Sequence, residues 1–192
     1  MFSDGMATIA AASIAALVGL AGYLTNQFVA RRDRRISMYA EALRALRAYQ
    51  ELPYRIAKRS RSDSEKREEL GTLTSGSFAQ VRFFLGWLQI HSPEVGEAYS
   101  LLFSKVSELT RAYRGDAWNR PLAATDSDMC GELYPYHAET EEQRLLCLAA
   151  MRANLKPFSK LRMGKIRRSL RQSRTANSLG TADPAGNPGH AA

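Results

Sequence analysis

Cysteine and histidine are scarce in this sequence. Its 192 residues hold two cysteines, Cys130 and Cys147, and three histidines, His91, His137 and His190. Two cysteines cannot build a disulfide framework. Cys147 lies in an apolar run, LLCLAA, and reads as a small core residue, whereas Cys130 falls in a loop. No histidine pair is spaced four apart on a helix, so a zinc site of that kind is excluded. His137 stands near Asp126, Asp128, Glu132 and Glu139, and a solvated acidic loop accounts for that grouping without a metal. No serine occupies a Gly-x-Ser-x-Gly turn, and no glycine-rich phosphate loop follows a strand. The carboxylate pairs Glu68/Glu69 and Glu141/Glu142 lie near helix starts, where the helix dipole favours them. The expectation is a chain with no metal, no cofactor and no catalytic activity.

Charge is missing from one long stretch. The 26 residues between Asp4 and Arg31, GMATIAAASIAALVGLAGYLTNQFVA, carry none. A bilayer core needs about 20 apolar residues in a helix. Residues 6–30 would rise about 37 Å at the helical pitch, which predicts a single transmembrane helix behind a short outside tail, 1–5. A cleaved signal peptide would need a basic start and a shorter apolar run. Arg31, Arg32, Arg34 and Arg35 follow at once. Basic residues favour the cytoplasmic side, so the expected topology is single-pass in the inner (cytoplasmic) membrane, N-terminus out. At the interface these four arginines gain about 1 kcal/mol each from anionic headgroups. Ala7, Ala11, Ala15 and Gly19 repeat every four residues. Small residues at that spacing let two membrane helices approach, which makes this face a candidate for homo-oligomer formation.

Helical periodicity dominates the rest, and the predicted fold class is all-α. Residues 31–174 read as a cytoplasmic antiparallel bundle of about four helices with a basic C-terminal segment. Ile36, Ala40, Leu43, Leu46 and Tyr49 share one face of a helix continuous with the anchor, which Pro53 ends or kinks. Asp63 or Ser62 caps a helix from about Glu65 to Ile90, with a break possible at 74–77. Ser92-Pro93-Glu94 starts the next helix, and Gly115 ends it. A long connection leads to Thr140, which has capping-box spacing to Gln143 and opens the last core helix. Residues 175–192 are small, polar and rich in glycine and proline, as expected of a disordered tail.

The net charge is +8 and the pI about 9.8. Seven acids and one arginine lie between Asp116 and Glu142, and ten bases with no acid lie between Gln143 and Ala182. Eight of those bases fall within residues 156–174, interleaved with apolar residues. Lys160, Arg162, Lys165, Arg167, Arg168 and Arg171 are therefore candidate contacts to anionic lipid or phosphate. Three readings stand: a basic helix on the membrane surface, a nucleic-acid contact by phosphate neutralisation, and a solvated extension. No nucleic-acid reader motif accompanies the segment.

The order of motifs carries a resemblance. An apolar helix precedes the arginine cluster 31–35, then come Tyr39-Ala40-Glu41-Ala42-Leu43, a Leu/Phe helix running into Ser92-Pro93-Glu94-Val95, and a Leu-rich helix with Arg152. Over residues 6–165 this resembles a loose group of uncharacterised bacterial and phage proteins, single-pass and N-terminally anchored, with a small helical bundle. The resemblance implies the anchor and bundle and no activity. The functional expectation is a membrane-anchored scaffold or regulator, with membrane lipid and a protein partner as its contacts. The alternative is a membrane-tethered nucleic-acid binder using 156–174.

Overall fold

The computed structural model describes residues 2–123, 134–156, 164 and 166–172, and of residues 2–16 the backbone alone. Among the described residues the chain is all-helical. Helix α1 spans Phe2–Gln50, α2 Leu52–Ala57, α3 Ser64–His91, α4 Pro93–Asn119 and α5 Tyr136–Asn154. Residues 166–172 are also helical. The chain divides into two compact units, Met1–Ala40 and Glu41–Ala192.

In the first unit every residue from 17 to 37 is exposed. The expected transmembrane helix at 6–30 is not supported: among the described residues no helix is long and apolar enough to cross a membrane. Asn26 lowers the apolar content of the described half of that run, 17–30. This half also holds Thr25, which donates to the Ala21 carbonyl at 2.8 Å, and Gln27, which donates to the Tyr23 hydroxyl at 3.2 Å.

The second unit is built on α4. Among the described residues α4 packs against α2, α3 and α5. Its buried face, Val95, Ala98, Tyr99, Leu102, Val106 and Leu109, follows the three-and-four spacing of the sequence. Tyr99 is fully buried and donates to the Ala42 carbonyl at 2.9 Å, which ties α4 to the end of α1. Burial raises the Tyr99 pKa well above that of a free phenol. Tyr49, Phe78 and Phe103 meet nearby with ring centroids 5.9–6.1 Å apart. α3 starts where Asp63 accepts from the Lys66 amide at 2.8 Å. α3 and α4 are joined by Ser92 alone. A Cβ on Gly96 would sit 2.7 Å from the backbone of Gln89, so only glycine lets the two helices approach this closely at the turn.

Several boundaries differ from the sequence expectation. α3 runs unbroken through 74–77. Gly115 lies within α4, which continues to Asn119. α5 begins at Tyr136, four residues before Thr140. Thr140 is buried, and its hydroxyl donates to the Tyr136 carbonyl at 2.7 Å instead of capping. The contact face of α1 is Ala42, Ala45, Leu46 and Tyr49, while Ile36 is 42% exposed. Small alanines allow close helix approach, a preference that apolar spacing alone does not reveal.

α2, α4 and α5 meet in a tyrosine-rich core. Ile56, Ala57, Leu70, Leu109 and Ala117 are buried there with Tyr134 and Tyr136. The Tyr54 hydroxyl donates to the Tyr134 carbonyl at 2.8 Å, and Tyr136 shares a 2.9 Å hydrogen bond with Thr110. Tyr113 stacks on Tyr134 at 4.7 Å and its hydroxyl donates to Glu139. Cys147 is fully buried, and burial pushes its thiol up to about 12, so it stays protonated.

Arg59 locks this core. It is only 6% exposed. Its Nη1 donates to the carbonyls of Ile56 and Ala117, both at 2.9 Å, and its Nη2 to those of Trp118 at 3.0 Å and Arg120 at 3.1 Å. These are carbonyls at the C-terminal ends of α2 and α4, which lack helical donors and carry the negative end of the dipole. The Arg59 carbonyl in turn accepts from the Ala123 amide at 3.0 Å. The guanidinium also lies over the Trp118 ring, 5.0 Å from its centroid.

Arg59→Met should lower stability by about 3 kcal/mol in denaturant titration, because it strands buried carbonyls. Arg59→Lys should recover little, since one ammonium cannot span the fork. Gly96→Ala should cost about 1–3 kcal/mol by overpacking, whereas Gly115→Ala, where a Cβ meets nothing within 4 Å, should gain about 0.4–1 kcal/mol. Equal melting shifts for the two glycine variants would contradict the packing described.

Candidate functional site

The residues singled out by sequence fall in separate places. Arg31, Arg32, Arg34 and Arg35 lie on α1, all exposed. Ala7, Ala11 and Ala15 lie on the same helix, but their side chains are outside the described residues; at Gly19 a Cβ would meet nothing within 4 Å. Lys160, Arg162, Lys165 and the tail 175–192 are outside the described residues. Arg167, Arg168 and Arg171 lie on the helical segment 166–172, with exposed side chains.

Arg167 has a partner that the sequence reading did not assign. Its Nε donates to Glu94 Oε1 at 3.0 Å. Glu94 sits in the first turn of α4, and its side chain is only 18% exposed. The hydrogen bond from Arg167 holds the Glu94 carboxyl below its ordinary 4.5, against the upward effect of burial. Leu170, on the same segment, is 1% exposed. The Arg167–Glu94 ion pair and the burial of Leu170 thus dock the segment, and Arg167, though exposed, has a partner within the bundle.

The most distinctive surface lies between α3 and α4. Two adjoining hollows of about 520 and 290 Å³ share Thr74, Ser75, Arg111 and Arg114. The larger adds Arg67, Gly71 and Gly115 over a floor of Ile56, Leu70 and Trp118. The smaller adds Ser107 over Tyr49 and Phe78. The trough exists because of small residues. Gly71 and Ser75 on α3 and Ser107, Arg111 and Arg114 on α4 line it together. Glycine and serine on α3 leave room there, and a Cβ on Gly71 or Gly115 would meet nothing within 4 Å.

Its electrostatics are one-sided. Three arginines line the trough and no Asp, Glu, His or Cys does. No ion pair to Arg67, Arg111 or Arg114 occurs among the described residues, whereas several cations elsewhere on the bundle pair within their own helices. Lys66 lies 2.7 Å from Glu69, Lys105 3.6 Å from Glu108, and Arg144 2.7 Å from Glu141. A third hollow, of about 540 Å³ beside Arg55, Lys58 and Lys66, is internally compensated by Glu51 and Glu69. Three uncompensated guanidiniums over an apolar floor suit an anion that also carries apolar groups.

Chemistry beyond binding has little to work with in the trough. Thr74 donates its hydroxyl to the Leu70 carbonyl at 2.7 Å, and no base stands beside Ser75 or Ser107 in the lining. Among the described residues no group of His, Cys, Asp and Glu could hold a metal ion. Asp126, Asp128 and Glu132 are outside the described residues.

The sequence contained the pieces of the trough without advertising them. Arg67, Gly71 and Ser75 repeat every four residues on α3, and Ser107, Arg111 and Arg114 form a matching row on α4. Only the antiparallel pairing of the two helices turns two rows into one trough. No protein family, curated protein or solved structure matches this chain. The resemblance noted over residues 6–165 therefore rests on its motifs alone.

The Glu94–Arg167 contact gives a pH prediction. The folded pKa of Glu94 lies below the unfolded 4.5, so the stabilisation is present above 4.5 and is lost as pH falls through the folded value. Amide-exchange protection of 166–172 should be steady near neutrality and drop once the pH falls below 4.5 and through the folded value of Glu94. Glu94→Gln should show the reduced protection already at pH 7; unchanged protection in that variant would refute the docking role.

Proposed function

We propose that the protein is a membrane-tethered, non-catalytic scaffold or regulator. Residues 6–30 enter the lipid of the inner (cytoplasmic) membrane, and the helical bundle binds a protein partner on the cytoplasmic side. The observation that carries this reading is the exposure of Leu17, Val18, Leu20, Tyr23, Leu24, Phe28 and Val29, each between 46% and 67%. At 100° per residue they spread over about two thirds of the circumference of α1, and Gly19, Gly22, Asn26 and Ala30, all uncharged, fill the rest. A helix apolar all round is stable only when other apolar material covers it. The uncharged run from Gly5 to Ala30 and the exposed arginines at 31–35 favour lipid as that cover, with the arginines on the cytoplasmic side. The bundle's contribution is a stable surface, since α4 anchors α2, α3 and α5.

The nucleic-acid reading of 156–174 loses Arg167 to Glu94 and gains no observation of its own.

The test is extraction of the full-length protein from membranes with alkaline carbonate. It should stay in the pellet. Val18→Lys with Leu20→Lys should release it, because each central lysine costs about 2.5–3.5 kcal/mol on insertion. Release of the unaltered protein by carbonate would overturn the tether. A reporter at the C-terminus should be active in the cytoplasm; activity outside would overturn the topology.

A further inference from the structure

We propose that the trough between α3 and α4 docks an acidic peptide segment of a protein partner. Its carboxylates meet Arg67, Arg111 and Arg114, and its apolar side chains lie on Trp118 and Phe78. The proposal deepens the reading of the protein as a partner-binding scaffold and rests on it, but not on the membrane tether.

The first argument is charge. The trough is lined by three cations and no acid, and no ion pair to any of the three occurs among the described residues, whereas Lys66, Lys105 and Arg144 each pair with an acid on their own helix. Like charges held together without compensation repel one another, and an anionic ligand relieves that repulsion. Guanidinium forks suit carboxylates, which accept two parallel hydrogen bonds.

The second argument is the floor. Trp118 is 37% exposed and Phe78 42%, both large apolar groups left uncovered at the base of the two hollows. A bare phosphate or other small anion would use the arginines and leave this floor wet. A peptide with leucine or aromatic residues between its acids uses both.

The third argument is shape. The two hollows adjoin through Thr74, Ser75, Arg111 and Arg114, which makes the site elongated along the helix pair. Their combined size suits a short chain segment, with three arginines matching two or three acids. Nucleic acid presents one phosphate per about 3.4 Å of strand rise and calls for a longer basic track than three residues supply.

The trough is also held in shape independently of any ligand. Arg59 fixes the carbonyl of Trp118 and stacks on its ring, so the floor residue at the end of α4 is already positioned. Gly96 fixes the α3–α4 spacing at the other end of the pair. Less ordering is then left for the ligand to drive.

The experiment uses the full chain in detergent micelles and fluorescence anisotropy. The probe is a fluorescein-labelled peptide in which aspartates alternate with leucines; the control replaces each aspartate with asparagine. The acidic peptide should bind and the control should bind at least about tenfold more weakly. Arg111→Gln with Arg114→Gln should weaken binding by about tenfold or more, with the circular dichroism spectrum and melting unchanged, because both side chains are on the surface. Gly71→Leu should weaken it as well while keeping every charge, since it fills open space in the trough. No binding of the acidic peptide, or binding indifferent to both variants, would overturn the proposal. Displacement by millimolar inorganic phosphate would identify a small-anion site instead, and displacement by equimolar oligothymidylate a nucleic-acid site; either would overturn it too. Carbonate extraction and peptide titration read different parts of the chain, so failure of one is distinguishable from failure of the other.

Discussion

One guanidinium sets the geometry of the bundle's end. Arg59 is buried, and among the described residues its hydrogen-bond partners are backbone carbonyls, not a carboxylate. Two helix C-termini converge on it, and their dipoles supply the negative potential that a buried cation needs. A carboxylate partner would hold one side chain; the carbonyls of Ile56, Ala117, Trp118 and Arg120 hold backbone. That is why a single residue can fix the exit of α2, the end of α4 and, through the Ala123 amide, the start of the following connection. The orientation of Trp118, and with it one end of the arginine trough, follows.

Around that lock the bundle uses two kinds of charge. The first kind is local. Glu41 with Arg44, Lys66 with Glu69 and Glu141 with Arg144 sit three apart on their own helices and are worth a few tenths of a kcal/mol each. They keep the surface soluble without joining helices. The second kind crosses between elements. Arg59 joins α2 to α4, and Arg167 joins the segment 166–172 to the start of α4. The arginines of the trough belong to neither kind, and the proposed docking rests on their grouping beside the exposed Trp118 and Phe78.

Much of the fold was legible because helix signals are local. The Ser92-Pro93-Glu94 start, the Asp63 cap and the apolar row from Val95 to Leu109 all appear where the spacing put them. The misses share a cause. Gly115 reads as a stop, but the Arg59 clamp beyond it supplies acceptors' partners and lets α4 run on to Asn119. Thr140 reads as a cap, but Tyr136 and Thr110 bond across helices and start α5 earlier. The contact face of α1 was displaced because alanine, weak in any hydropathy pattern, is strong at close helix contacts. In each case a long-range partner overrode a local rule. The trough was illegible for the same reason: its two rows lie about 40 residues apart and mean nothing until α3 and α4 are paired. Arg59 itself gave no signal, since an arginine beside Lys58 and Arg61 looks like one more solvated charge.

The one-residue link between α3 and α4 carries a consequence for how the chain acquires its structure. Closing a loop of one residue costs almost no chain entropy, and the Gly96–Gln89 approach makes the hairpin tight from its first turn. α3 and α4 can therefore zip together from the turn outward with contacts close in sequence, the kind that forms fastest. α5 and 166–172 have no comparable shortcut; they need the surface of α4 already laid down. During synthesis α1, α2 and the hairpin all emerge before α5, so every residue that lines the trough is made before the last helices, which stiffen a surface that their arrival does not create.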